Sequence, residues 1–406
     1  MDDYIQKGTR QYWQAISALF LGSLAAFGLE YCVQPIIPIL AREFGLTPSS
    51  ASLAVSLGTG GMAVSMILIA GLAGMLDRKK IMSIALSLSS ILILLMAISP
   101  SFYLILVLRL LQGLLLAAFP SLAIAYINEE FSPNIVGLAV GIYVSGTTVG
   151  GLFGRLALSA LTDLFSWRVG LAAIGVLFLI ISIWFYFSLA KSRQHIPSKT
   201  WSAGFIRGLL ETLRNKELIK IYLIAFAAMG SFVAIYNYIA FPLMAAPYNL
   251  SQTSIGALFT VYLVGTFSST FMGGLSDKYG NGKILSLSIG IMLAGAAITL
   301  LPSLIIKIAG LAVFTFGFFG THSIASSWAG KSCQTDKAQG TALYMLFYYT
   351  GASVIGTLGG VLLTKYDWPG LIMLVITILC GVLLLSTRLI AAEKYTKLSE
   401  AYLSRS

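Results

Sequence analysis

The amino-acid sequence predicts an all-α integral membrane protein with twelve membrane-spanning helices, and three observations lead there. Of the 406 residues, 57% are apolar and only 10% charged, whereas a water-soluble domain carries about 25% charged residues. Apolar runs of about 20 residues, each long enough to cross a hydrocarbon core of ~30 Å, recur along almost the whole chain. The runs are continuous rather than alternating. Since lipid satisfies no backbone polar group, this selects helices over a closed barrel.

In chain order the spans are expected at 14–38, 52–75, 81–98, 102–126, 135–160, 168–190, 218–245, 253–275, 284–302, 308–330, 339–363 and 369–391. The first follows a polar start, Met1-Asp2-Asp3-Tyr4. It is too long for a signal peptide and is not followed by a small-residue cleavage site, so it reads as a retained helix. The longest polar interruption, 191–217, separates an N-terminal six-helix bundle, 1–190, from a C-terminal bundle and short tail, 218–406. Within it Trp201, Phe205, Leu209 and Leu213 recur at helical spacing opposite Arg207, Glu211 and Arg214, as in a helix lying along the inner membrane surface; an unstructured linker is the alternative.

The formal net charge of +11 does not require a nucleic-acid partner, because its distribution reads as topology. With the N-terminus inside, 20 of the 26 Lys and Arg fall in cytoplasmic segments, Arg42, Arg168, Lys307 and Lys365 fall outside, and Arg109 and Arg155 fall within spans. The positive-inside rule therefore places both termini in the cytoplasm of a multi-pass protein. Short loops suit a bacterial cytoplasmic membrane. Cys32 and Cys380 lie in spans and Cys333 in an inner loop, with no CxxC spacing and two His, so neither a disulfide framework nor a metal site is expected.

The halves echo each other. Gly74-Met75-Leu76-Asp77-Arg78 matches Gly274-Leu275-Ser276-Asp277-Lys278, Tyr143, Gly146 and Gly151 recur as Tyr348, Gly351 and Gly356, and Trp167 recurs as Trp368. Six spans per repeat give both halves the same orientation, the parallel arrangement of transporters that rock about a central site. No HExxH, nucleophile motif, metal cluster or Walker-type loop is present, and the longest soluble segment is the linker. An enzyme, a receptor or an ATP-driven pump is therefore disfavoured.

Several motifs carry more. The loop Gly273-Gly-Leu-Ser-Asp277-Lys278-Tyr-Gly280-Asn-Gly-Lys283 resembles the inner-loop signature of the major facilitator superfamily. The first-half copy with Asp77 and Arg78 is shorter and lacks the second glycine. A carboxylate at a helix end can pair with basic groups and helix N-termini, so these residues are expected to latch one conformation on the inner side; a plain positive-inside cluster is the alternative for the first copy. Arg109-Leu-Leu-Gln112-Gly113 resembles the superfamily's Arg-x-x-Gln-Gly motif, whose arginine the resemblance links to proton coupling. An arginine inside a span needs a partner or a wet cavity. Glu30 and Arg155 are expected at the same depth, so the three form either a proton-coupling site, with Glu30 taking up and releasing the proton, or a fixed structural ion network.

Gly146-Thr147-Thr148-Val149-Gly150-Gly151, followed by Gly154, resembles the superfamily's antiporter motif with Thr147 in place of proline. Its small residues permit close helix packing, as do Gly356 and Gly360 in the second half. Gly317 to Trp328, Leu343-Tyr344, Tyr348-Tyr349-Thr350-Gly351 and Ser166-Trp167-Arg168 make the chain similar over its whole length to the YnfM-like group of arabinose-efflux and drug-efflux permeases. The resemblance implies proton-linked export of small molecules; separately, no cofactor beyond the proton gradient and a monomer in the lipid bilayer are expected. The resemblance also implies that the first and fourth helices of each half line the substrate path. Candidates there are Tyr31, Gln34, Gln112, Tyr126, Tyr236, Asn237, Tyr238, His322 and Trp328. Such a lining suits amphiphilic, neutral or weakly cationic solutes, drugs or sugars. Uptake of a sugar or organic acid by proton symport or facilitated diffusion is the competing expectation.

Overall fold

The structure, a computed structural model, describes residues 4–192, 203–333 and 337–403; Trp201 of the expected linker helix lies outside them. The first span opens as α1 (Arg10–Tyr31), whose N-cap Thr9 accepts a hydrogen bond from the Tyr12 amide, satisfying one of the orphan donors of a helix start. Pro35 and Pro38 lack amide hydrogens. The chain accordingly passes through a 3-10 turn, Gln34–Ile36, into α2 (Ile37–Glu43). The next elements are α3 (Pro48–Leu72), with proline in its first turn, and α4 (Arg78–Ala97), N-capped by Asp77. The fourth span is offset at Ala117 between α5 (Phe102–Leu116) and α6 (Ala118–Glu130). The half closes with α7 (Val136–Leu164) and α8 (Trp167–Ser188).

After α9 (Ala203–Arg214), Asn215 caps α10 (Lys216–Tyr238), and α11 (Ala240–Met244) completes that span. The next span is assembled from α12 (Gln252–Leu258), a 3-10 turn at Phe259–Val261, and α13 (Tyr262–Tyr279). Gly280, at φ 97°, turns α13 into α14 (Asn281–Ile298), a backbone conformation open to glycine and strained for a side chain with Cβ. Two elements follow, α15 (Leu304–Ser332) and α16 (Lys337–Leu403).

Eleven helical runs are long and apolar enough to span a membrane, and the last of them, Gln339–Ile390, has 52 residues. At ~1.5 Å per residue that is more than twice the hydrocarbon thickness. It is broken at Tyr366 and Asp367 (φ 54°), so it supplies two crossings and brings the total to twelve. Side chains such as Tyr103, Ile305 and Phe187 are 81%, 79% and 77% exposed, a surface matched to acyl chains rather than water.

The described residues form two compact units. Unit 1 lies within Met1–Leu46, Ala51–Ser202 and Leu243–Phe259, and unit 2 within Thr47–Ser50, Ala203–Pro242 and Thr260–Ser406. In unit 1 the axis of the core is α1 against α7. A Cβ on Gly150 would stand 2.5 Å from the Leu24 Cα, and one on Gly154 would stand 2.9 Å from the Gly28 Cα; Gly146 abuts Ser23 and the Phe20 carbonyl in the same way. Hydrogen in place of a side chain at every fourth residue lets the two backbones touch, the packing available when lipid supplies no hydrophobic drive. Unit 2 repeats the arrangement with α10 against α16, where Gly351 meets the Phe226 backbone and a Cβ on Gly230 would lie 2.6 Å from the Ile355 Cβ. The helix α9 also belongs to unit 2. Its Gly208 faces Gln339 and its Thr212 hydroxyl lies 3.6 Å from the Cys333 Sγ, while Arg207 and Glu211 pair at 2.9 Å on its exposed side.

Candidate functional site

Glu30 stands one residue before the end of α1, and Arg109 lies in the middle of α5; they are 1% and 0% exposed. The Arg109 Nη2 is 3.5 Å from the Glu30 Oε1, a single long contact. The guanidinium spends its other donors on closer acceptors: Nε on the Ala54 carbonyl at 2.5 Å, Nη2 on the Glu30 carbonyl at 2.7 Å, and Nη1 on the Leu29 carbonyl at 3.3 Å and on the Gln112 amide oxygen. Gln112 in turn donates to the Ser89 carbonyl at 3.2 Å. Backbone carbonyls and one amide thus hold the arginine, and the carboxylate is peripheral to its anchoring. Among the described residues the Glu30 Oε2 is buried with no hydrogen-bond partner.

Room for the pair comes from α3. A Cβ on Gly58 would lie 2.6 Å from the Arg109 Nη2 and 2.8 Å from the Glu30 Oε1, and Gly113 of α5 packs directly on the Gly58 backbone. Arg155, on α7, has its own set of partners. Its Nε donates to the Gln34 side chain at 2.9 Å and its Nη1 to the Gly151 carbonyl at 2.8 Å. Its guanidinium lies 4.5 Å from the Tyr31 ring and 4.8 Å from the Phe259 ring, within cation–π range of both. The structure therefore brings Arg109 into contact with both Glu30 and Gln112, and joins Arg155 to Gln34 and Tyr31, which follow Glu30 in the chain.

The remaining candidates occupy varied surroundings. Tyr126 is buried near the end of α6 and its hydroxyl donates to the Ala190 carbonyl at 3.1 Å, a packing role between the ends of two spans. In unit 2 the Tyr236 hydroxyl meets the Thr315 hydroxyl at 2.7 Å, and Tyr238 donates to the Thr357 carbonyl at 3.2 Å; Asn237 between them is fully buried, with its amide near Gly356. The His322 Nδ1 lies 2.9 Å from the Tyr344 hydroxyl, its ring lies parallel to Phe318, and Tyr348 approaches to 4.8 Å. Trp328 is half-buried further along α15. Gly360 sits against Ser49 and the Tyr238 hydroxyl.

Of the inner-loop residues, Asp77 accepts from the Lys80 amide at 3.0 Å as the cap of α4. Arg78 makes two hydrogen bonds to Glu129, at 3.2 and 2.6 Å, the fork geometry that suits guanidinium to carboxylate. In the second copy Gly273 is half-buried, Asp277, Lys278 and Lys283 are exposed, and Gly280 makes the turn. Sequence patterns did not single out Gly58, Glu129 as the partner of Arg78, or the Tyr344 hydroxyl on His322. Nor did they single out Glu43, which pairs with Arg168 and the Trp167 indole. Tyr344 falls in a stretch that carries the resemblance, though its pairing with His322 is not visible there; the others lie in no recognisable motif, and each is found through a partner remote in sequence.

The Major Facilitator Superfamily profile matches residues 19–241 and 221–401. The chain is 41% identical over 391 residues to the uncharacterized MFS-type transporter YybF of Bacillus subtilis strain 168, covering 96% of this chain and 97% of that one. It is 39% identical over 385 residues to the inner membrane transport protein YnfM of Escherichia coli K12, covering 94% and 92%. Among solved structures, a bacterial homologue of the human lysosomal transporter Spinster aligns with a TM-score of 0.72 at 16% identity, covering 96% of this chain and 97% of that one. The nucleoside transporter NupG aligns with a TM-score of 0.74 at 15% identity, covering 92% and 99%; at these identities the likeness speaks for the fold. The chain therefore belongs to the Major Facilitator Superfamily, as a multi-pass secondary transporter of the cytoplasmic membrane with a small-molecule substrate.

Proposed function

We propose that the protein exports small amphiphilic molecules in exchange for protons, with Glu30 as the proton carrier. The observation that carries this reading is the Glu30 carboxyl, buried in unit 1 with Oε2 unpartnered among the described residues while Arg109 rests on backbone carbonyls. A buried carboxylate without a full set of donors is costly, so proton occupancy here decides the local charge balance. Arg109 keeps its anchors in either state. A fixed ion network would instead pair the two charges closely and leave no oxygen over. Gln112 positions Arg109, and Arg155 and Gln34 continue the polar chain.

Solute contacts are assigned to the part-exposed rings Tyr31, His322 and Trp328, a set poor in fixed charge, which favours neutral or weakly cationic solutes, drugs or sugars, while Tyr236, Asn237 and Tyr238, expected to line the path, are buried behind them. Bundles 1–190 and 218–406, joined by 191–217, alternate between inward- and outward-open states as a monomer. Asp77, Arg78, Gly273, Asp277, Lys278, Gly280 and Lys283 steady the inner ends.

The test is internal pH in sealed proteoliposomes while lipophilic cations, sugars, organic acids and antibiotics are added outside. Protons leaving as a solute enters support exchange; protons entering with the solute establish symport and promote the uptake reading. Glu30→Gln is expected to abolish solute-dependent proton movement while leaving thermal unfolding in detergent close to that of the parent. Undiminished proton movement in that variant removes Glu30 from the role.

A further inference from the structure

Unit 1 contains a segment that the order of the chain would not lead one to expect there. Leu243–Phe259 packs with unit 1, although the residues on either side of it, up to Pro242 and from Thr260, pack with unit 2. Its attachment is specific. The Asp163 carboxylate, near the end of α7, accepts hydrogen bonds from the Gln252 amide at 3.2 Å, the Thr253 amide at 2.6 Å and the Thr253 hydroxyl at 2.6 Å. It thereby supplies from another element the capping that the first amides of α12 need, alongside Ser251, which caps the Ser254 amide at 3.2 Å.

Below this cap the Gln252 side chain donates to the Pro35 carbonyl at 2.8 Å, within the 3-10 turn that interrupts the first span. One turn on, Gly256 lies so close to α7 that a Cβ there would be 2.5 Å from the Ser159 Cβ. At the far end Phe259 lies under the Arg155 guanidinium. The segment therefore touches Asp163, Ser159, Arg155 and the turn holding Gln34, whose side chain accepts from Arg155.

The seam is also built to part. At its tight point glycine meets serine, so that point itself has no side chain to withdraw, and what must leave are the Gln252 side chain at the Pro35 carbonyl and the Phe259 ring under Arg155. Its cap is solvent-exposed, and the Gln252 Oε1 is buried without a partner among the described residues, so the docked state is not fully satisfied. A smaller exchange of the same kind runs the other way. Thr47–Ser50 packs with unit 2, where the Ser49 hydroxyl donates to the Thr357 carbonyl at 3.0 Å and a Cβ on Gly360 would lie 2.6 Å from the Ser49 Cα.

We infer that Leu243–Phe259 is a releasable strap, fastened by Asp163 at the amides of α12 and by Gln252 at the Pro35 carbonyl, and that Asp163 and Gln252 are positioning residues for the transport cycle. Docked, the strap covers Ser159 and holds Phe259 against Arg155; released, it frees Arg155 and the Gln34 turn beside Glu30. This rests on the alternating-access reading, which requires a segment shared in this way to change partners once per cycle.

The experiment reads the seam without needing a known solute. In a background carrying Cys32→Ala, Cys333→Ala and Cys380→Ala, Ser159→Cys places a near-isosteric thiol under Gly256, and its reaction with a water-soluble maleimide is timed in detergent micelles. A matched protein keeps Cys333, buried in unit 2, as its single thiol. Adding Asp163→Ala or Gln252→Leu is expected to speed labelling of Ser159→Cys at least tenfold and leave Cys333 unchanged, with Asp163→Asn, which keeps one acceptor, in between. Unchanged labelling of Ser159→Cys in both variants overturns the strap. So does equal acceleration at both thiols, which reports general loosening. Proton assays that fail while labelling responds would count against proton coupling and leave the strap standing.

Discussion

At Gly58 the space for a side chain is already taken by the Arg109 and Glu30 side chains. A methyl group there would press on the Arg109 Nη2 at 2.6 Å and the Glu30 Oε1 at 2.8 Å, and Arg109 cannot yield without leaving the Ala54 and Glu30 carbonyls. Gly58→Ala is therefore expected to cost about 1–3 kcal/mol of stability, as overpacking of a filled site does, and to remove proton-driven transport even where folded protein is recovered. Thermal unfolding and proton flux on the same preparation check this; a variant with parental flux would mean that the pair tolerates displacement and that its geometry is not what couples protons. Arg109 and Glu30 were legible in the sequence because ionisable residues inside apolar runs are rare and stand out. Gly58 was not, being one of 40 glycines in a chain where small residues recur for packing. Nor were the carbonyls that anchor Arg109, since a backbone acceptor leaves no mark on sequence.

The glycines of α7 separate two kinds of small residue on one helix. Gly150 faces the Leu24 backbone, which cannot move aside, whereas nothing lies within 4 Å of a Cβ added at Gly141. Gly150→Leu is expected to destabilise unit 1 by about 3 kcal/mol or to prevent folding, because strain against backbone is hard to relieve, and Gly141→Ala to stay within about 1 kcal/mol of the parent. Size-exclusion profiles and unfolding temperatures of the two variants decide it; equal behaviour would show that helix proximity at α1 and α7 does not set the stability. The stripe itself could be read from the spacing of Gly146, Gly150 and Gly154, but its partner could not. The number and order of spans were likewise legible from hydropathy, while their ends and interruptions were not. The first span, expected at 14–38, runs from Arg10 to Glu43 with a turn at Gln34–Ile36, since the apolar pattern continues through Pro35 and Pro38 and hides the break they cause. The lack of proline at Thr147 has a direct consequence in α7, which is continuous from Val136 to Leu164.

For the whole molecule, family and fold were legible because the Asp277 loop and the Arg109 motif sit at fixed places in a regular hydropathy pattern. The exchange of Leu243–Phe259 was not, because hydropathy says nothing about which bundle a span start joins. The proposed coupling makes one further claim at this scale. Among the described residues Glu30 and Glu130 are the buried acids, and Glu130, at the end of α6, is engaged with Ser192 at 2.6 Å. With Glu30 as the carrier, the proposal takes one proton per cycle. Exchange of one proton for a neutral solute then moves one positive charge inward as solute leaves, so an inside-negative potential favours solute exit. The drive is ~2.3 kcal/mol per charge at 100 mV, equivalent to about a 50-fold solute gradient. For a monovalent cation the same exchange is electroneutral and a potassium–valinomycin potential should leave the gradient unchanged. Symport reverses the first sign, driving neutral solute inward. Because thermodynamic linkage sets these signs, they hold whichever way the protein inserts into the vesicle. A neutral solute insensitive to potential, yet still moving protons, would rule out one-for-one exchange and with it Glu30 as sole carrier.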